Sequence, residues 1–223
     1  MNYWERLLEN CSISHVEYSA LTTDPTWIWP LIKPCTYFRV VLEGRMHDGD
    51  DVSPFVTSVA PANSAWESKV DGSFYDVNIG RTGMSERQAD GRAYDTQGNL
   101  FQSRPHFLSP ANLAMYSNLP IWGSANSRYA SDFRPQDAWV GDERFMRIYC
   151  RPDPRRELPD TSAEIVIDLM HRLAVYYCIS YKDKVSIALS LTRAKIGSGP
   201  LDQEFEELYV QKDYDLPSVF DLS

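Results

Sequence analysis

The sequence is short of the residues that most often carry chemistry. It has four histidines, His15, His47, His106 and His171, and no two stand at metal-ligand spacing. Its four cysteines, Cys11, Cys35, Cys150 and Cys178, are scattered without a Cys-x-x-Cys pair. That argues against a zinc site and for free thiols in a reducing compartment. There is no phosphate loop with its lysine, no dinucleotide glycine pattern, no His-Glu-x-x-His and no nucleophile elbow. Positive charge is scarce as well: 22 Lys and Arg face 31 Asp and Glu, a formal net charge of -9. A surface built to neutralise phosphates carries the opposite balance, so sequence-specific nucleic-acid binding is not expected. Long apolar runs are missing. Trp27–Ile32, broken by Pro30, and Leu173–Ile179 fall far short of the roughly 20 residues that span a bilayer as a helix. The first ten residues include Glu5, Arg6 and Glu9 and do not read as a secretory signal. The expectation is a chain made in the cytoplasm, with no cofactor, no metal, no membrane partner and no enzymatic activity. An acid pair for glycoside hydrolysis is the one catalytic route left open, because such pairs assemble from distant positions.

What the chain does have is aromatic and turn-forming residues. It holds 13 Tyr, 9 Phe and 6 Trp, with 14 Pro and 11 Gly, and 43% of it is hydrophobic. A packed, β-rich and loop-rich middle is expected from that mixture. Three prolines between Thr22 and Pro34 force extended backbone. Trp27 and Trp29 share a side there, as core residues or as a sugar-stacking platform. Thr36–Leu42 is a strand by its β-branched and aromatic content. His47-Asp48-Gly49-Asp50-Asp51 lacks the spacing of a calcium loop and reads as an acidic turn. Short strands joined by turns fill residues 53–103. Among them, Ser73–Ile79 alternates, and a hairpin turns at Thr96-Gln97-Gly98. Residues 104–142 read as a long loop in which Trp122, Tyr129, Phe133 and Trp139 are candidate contacts for the chain's own core or a partner.

The most definite signal runs from Glu143 to Ile196. Arg144–Cys150 is a strand, ended by Pro152 and Pro154. Thr161 and Glu164 match a capping box, and Ser162–Ile179 then reads as a helix with a core stripe of Val166, Leu169, Met170, Leu173 and Tyr177. On that reading His171 makes an exposed contact with Asp168 one turn away. Lys182–Ile196 fits either period. Its alternation of Val185, Ile187, Leu189 and Leu191 suits a strand, while Asp183 and Gly197 at its ends favour a second helix. Gln203–Val210 reads as a third. Asn2–Glu9 is a short amphipathic helix that must dock on something. Tyr214–Ser223 is an acidic tail with Leu216, Val219, Phe220 and Leu222 available for docking.

The expected architecture is therefore α+β. Residues 1–20 and 155–212 make a small helical base, 21–154 a large β-rich, loop-rich insertion, and 213–223 a docking tail. In element order this resembles the head-to-tail adaptor of short-tailed bacteriophages, the tail tubular protein A family. The matching pieces are Ala93-Tyr94-Asp95-Thr96 with Asn99-Leu100-Phe101, then Arg147-Ile148-Tyr149, then Glu157-Leu158-Pro159 opening the helix that holds His171, Arg172, Leu173 and Ala174. The resemblance implies a structural virion protein of the neck. It would form a ring, a dodecamer, of identical subunits contacting portal and tail or nozzle proteins, with no catalytic residue. The alternative function is a carbohydrate- or receptor-binding module that uses Trp27, Trp29, Trp66, Trp122 and Trp139.

Overall fold

The computed structural model describes residues 13–17, 35, 37, 39–61, 65–78, 105, 108–119, 133–141, 145–152, 160–182, 184–197 and 209–214. Nearly all of these are strand. Chain order gives β1 (Ile13–Glu17), β2 (Arg39–Asp48), β3 (Asp51–Ala60), β4 (Ala65–Val70), β5 (Ser73–Asn78) and β6 (Phe133–Gly141). Then come β7 (Phe145–Pro152), β8 (Thr161–Asp168), β9 (Leu173–Tyr181), β10 (Lys184–Gly197) and β11 (Tyr209–Asp213). All eleven belong to one antiparallel sheet in the order β1-β6-β7-β8-β9-β10-β2-β3-β4-β5, with β11 paired to β10. Helix among the described residues is confined to two 3-10 turns, Pro110–Leu113 and Tyr116–Asn118. None of the described helices is long and apolar enough to cross a membrane.

The expected α+β fold is corrected by this sheet. The helix read over 162–179 is the β8–β9 hairpin, and 182–196 is β10. The reason is burial on both faces. Ile165, Val166 and Ile167 are consecutive and fully buried, and so is the whole run Leu173–Cys178. Strands covered on both sides lose the in–out alternation and read as continuous apolar runs, which any helical stripe can be drawn through. The β-branched and aromatic content of Ile165, Val166, Ile167, Val175, Tyr176 and Tyr177 then decides for sheet. The expected long loop 104–142 contains the 3-10 turns and β6, and the tail of the proposed third helix is β11. The helix expected at Asn2–Glu9 and the hairpin at Thr96-Gln97-Gly98 lie outside the described residues.

The register assigns the side chains to faces. One face carries Met146, Ile148, Ile165, Tyr177, Leu189, Leu191, Leu42, Phe55, Val59 and Trp66, all buried. The 3-10 segment Pro110–Leu113 lies on this inner face and touches β3, β4 and β9. Strands β9 and β3 are three spacings apart, about 14 Å in a flat sheet. A four-residue 3-10 turn is only about 8 Å long, so the sheet must curl around it. Hydroxyls pin it there. Thr57 Oγ1 lies 2.7 Å from Ser68 Oγ, which lies 3.4 Å from Ser109 Oγ, and Ser109 in turn accepts from the Ala111 N–H.

Tight turns set the hairpins. Asp71 and Gly72, with φ of 49° and 75°, form the two-residue connection of Val70 to Ser73, the left-handed pair that matches strand twist. The acidic stretch His47–Asp51 is also a two-residue hairpin turn, joining β2 to β3.

Candidate functional site

Two features could serve a function: a polar seam at one edge of β10, and the outer face of β2–β5. The seam follows from the length of β10. Its first half, Lys184–Ser190, pairs with β9, and its second half, Arg193–Gly197, pairs with β11 on the same side. Strands β11 and β9 thus lie end to end, and the register shifts between Leu191 and Arg193, where they meet. Thr192 sits at the shift; its Oγ1 donates to the Glu43 carbonyl at 3.0 Å, and its own carbonyl accepts from Tyr214 N–H at 2.8 Å.

Asp168 closes this seam from the β8–β9 turn. Its Oδ1 accepts from the N–H groups of Met170 and His171, both at 3.0 Å, and its Oδ2 faces His171 Nδ1 at 2.9 Å. The Tyr214 hydroxyl donates to the same Oδ2 at 3.2 Å. Asp168 is fully buried, so the exposed helical contact expected for His171 is instead a mostly buried turn contact. A carboxylate with its lone pairs taken up by turn amides, an imidazole and a phenol holds structure together rather than waiting for substrate.

The outer face is ordered in cross-strand rows. Asp213, Arg193, Glu43, Val56, Lys69 and Phe74 stand opposite one another in register, one from each of β11, β10, β2, β3, β4 and β5. Arg193 donates to Asp213 at 2.8 Å and to Glu43 at 3.3 Å, and the Lys69 ammonium lies 4.8 Å from the Phe74 ring centre. Beside this row, Arg45 faces Pro54, and His47 faces Val52. Val52, Val56 and Phe74 are 49%, 49% and 57% exposed, so the apolar patch is open to solvent. On the same face stand Arg39, Arg45, Lys69, Arg193 and Lys195 against Glu43, Glu67 and Asp213. Positive charge is thus in excess on this face of a chain whose net charge is -9.

Comparison with known proteins adds little. No family model matches the chain, and no curated protein matches it. Among solved structures the crystal structure of MucB is similar at a TM-score of 0.39 and 14% identity, over 86% of this chain and 66% of that one. The chain therefore spans just under two thirds of MucB's length, and a likeness of this size carries neither fold nor function.

The sequence-predicted contact residues are not brought together. Phe133 and Trp139 lie on β6, far from the β2–β5 patch in strand order. Trp122, Tyr129, Leu216, Val219, Phe220 and Leu222 lie outside the described residues, as do Trp27 and Trp29. Trp66 is buried against the inner face and is core. Val52, Val56 and Phe74 were missed. In β3 both alternating sets are apolar, Val52, Pro54, Val56 outward and Phe55, Val59 inward, so alternation alone cannot choose a side. In β5 the register shift opposite Ser68 and Lys69 puts Phe74 on the outer face and Asp76 on the inner one, although two apart they read as sharing a face.

Buried titratable groups give the fold a pH window. Burial pushes Cys35 up to about 11 and Cys178 up to about 12 from an ordinary 9.0, the charge of Glu164 adding to the latter. Cys150 is raised further for the same two reasons. Above pH 9 the unfolded chain sheds protons that the folded chain keeps, so stability falls as pH rises through this window. Burial and the nearby Arg45 hold His47 below 6.5, so below that pH the unfolded chain takes up a proton first and stability falls as pH drops. Urea midpoints are expected to be flat between pH 7 and 9 and to decline on both sides. In His47→Asn the decline between pH 6.5 and 5 is expected to become shallower while the alkaline arm stays.

Proposed function

We propose that the protein is a non-catalytic binding protein that docks acidic, apolar-bearing segments of a partner on the outer face of β10, β2, β3, β4 and β5. The observation that carries the reading is the row through Arg193, Glu43, Val56, Lys69 and Phe74, where exposed apolar side chains sit among a local excess of positive charge. A solvated sheet face ordinarily alternates polar-out, and three open apolar side chains on adjacent strands depart from that. An aromatic and a valine give contact area, while the surrounding guanidinium and ammonium groups select the sign of the partner and speed its approach. The cysteines Cys35, Cys150 and Cys178 are buried and held as thiols, which favours a structural role for them over a nucleophilic one.

The virion role implied by the adaptor resemblance drew on a helix pair over 162–196. With that span in sheet, the elements that carried the resemblance no longer support it. Sugar stacking on tryptophans is not favoured either, since Trp66 packs inward.

The test uses labelled peptides of alternating Asp and Leu, and of alternating Lys and Leu, titrated into the full chain by fluorescence anisotropy. The acidic peptide is expected to bind at least about tenfold more tightly than the basic one, with affinity falling as salt rises. Val56→Glu and Phe74→Ser, both on the surface, are expected to keep the thermal midpoint and lose the binding. Equal binding of the two peptides, or binding indifferent to Val56→Glu, overturns the reading.

A further inference from the structure

We infer that the segment docked on this face is residues 214–223 of a second copy, so that the chain associates with itself head to tail. The inference rests on the reading of the outer face as a docking surface. The sequence after β11 is Tyr214-Asp215-Leu216-Pro217-Ser218-Val219-Phe220-Asp221-Leu222-Ser223. In extended form Leu216, Phe220 and Leu222 fall on one side, while Asp215 and Asp221 fall on the other with Val219. This is the chemistry the patch selects: apolar anchors for Val52, Val56 and Phe74, and carboxylates for Arg45, Lys69 and Lys195.

The place where the segment leaves the sheet supports it. Strand β11 runs head-on toward Leu173 at the start of β9, both on one edge of β10. The chain must therefore leave the sheet plane at Tyr214, whose buried ring is held by Asp168. Nine residues beyond that clamp reach about 30 Å when extended. That is enough to cross the roughly 14 Å that separates three strands of a neighbouring copy's outer face. The segment acts in trans because Val52, Val56 and Phe74 stand about half exposed in the single chain. Patch and segment are different surfaces, so each copy offers one of each and the contact propagates to a closed ring or an open chain of subunits.

The experiment is sedimentation velocity and native mass spectrometry of the full chain, wild type and two variants, Val56→Glu and Phe220→Ser. Wild type is expected to form dimers and larger species that shrink with rising salt. Each variant alone is expected to be monomeric with an unchanged thermal midpoint. An equimolar mixture of the two is expected to recover dimers and nothing larger, since only one intact patch–segment pair remains. A monomeric wild type overturns the inference, as does a mixture that stays monomeric. A labelled 214–223 peptide separates the two ideas. If the Asp–Leu peptide binds and the 214–223 peptide does not, the self-docking inference fails and the docking surface stands. If neither binds, both fail.

Discussion

Gly44→Ala is expected to destabilise the protein by about 3 kcal/mol or more, a drop of roughly 6–12 °C in thermal midpoint for a chain of this size. Gly44 is the one point where β2 passes under both a ring and a neighbouring backbone. A Cβ built there would lie 2.1 Å from the Ser190 carbonyl oxygen and 2.4 Å from Cζ of Phe55, its cross-strand neighbour. The ring could swing away, but the carbonyl belongs to β10 and cannot move without opening the ladder between β10 and β2. Gly49→Ala is the matched control. Nothing lies within 4 Å of its Cβ position, and its cost comes only from a φ of 60°. That conformational strain is worth about 1 kcal/mol. Differential scanning calorimetry of the two variants should therefore separate steric from backbone cost. Adding Phe55→Leu to Gly44→Ala is expected to recover only part of the loss, because the carbonyl contact remains. Full recovery would mean that the ring alone requires glycine.

Asp168→Ala is expected to cost about as much, roughly 3–5 kcal/mol, since it removes every acceptor that the turn amides, His171 and Tyr214 share and leaves them facing each other in a buried site. Asp168→Asn should cost less. It keeps one oxygen for the Met170 and His171 amides while presenting a donor where donors already point. Tyr214→Phe should cost about 1 kcal/mol, the net worth of one hydrogen bond. The informative readout is local. In Tyr214→Phe the amides of β11 should exchange with solvent faster while those of β8 and β9 are unchanged, because Tyr214 ties the end of β11 to the rest of the sheet. Equal acceleration throughout would show that the seam is not a separable unit.

Much of the strand content was legible and the fold class was not. Thr36–Leu42, Ser73–Ile79 and Arg144–Cys150 read as strands because each has the aromatic and β-branched content of one, and β2, β5 and β7 occupy those positions. The same physics hid β8 and β9. Their residues are buried on both sides, so the alternation that marks a half-exposed strand is absent, and Asp168-Leu169-Met170-His171-Arg172 looks like a polar stretch of helix until Arg172 is seen at a φ of 51°. Phe74 and Asp76 could not be assigned to opposite faces without the register shift beside them. The seam needed the fold itself, because Asp168 and Tyr214 are 46 residues apart and only the double pairing of β10 makes them neighbours. The charge excess of the outer face is invisible in composition, where acidic residues dominate. It appears only when Arg39, Arg45, Lys69, Arg193 and Lys195 are found on one side.

The joining of β10 to β2 also bears on how the chain finds its shape. Strands β2 to β5 and β6 to β10 are two runs of neighbouring hairpins that can close early, since each pairing links residues near in sequence. The ladder between them brings Thr192 to Glu43 across 149 positions, the costliest loop closure in the sheet. That ladder should zip last, after the rate-limiting barrier. Crowding at Gly44 would then leave the refolding rate nearly unaltered and hasten unfolding, so the glycine governs how long the native state endures rather than how quickly it is reached.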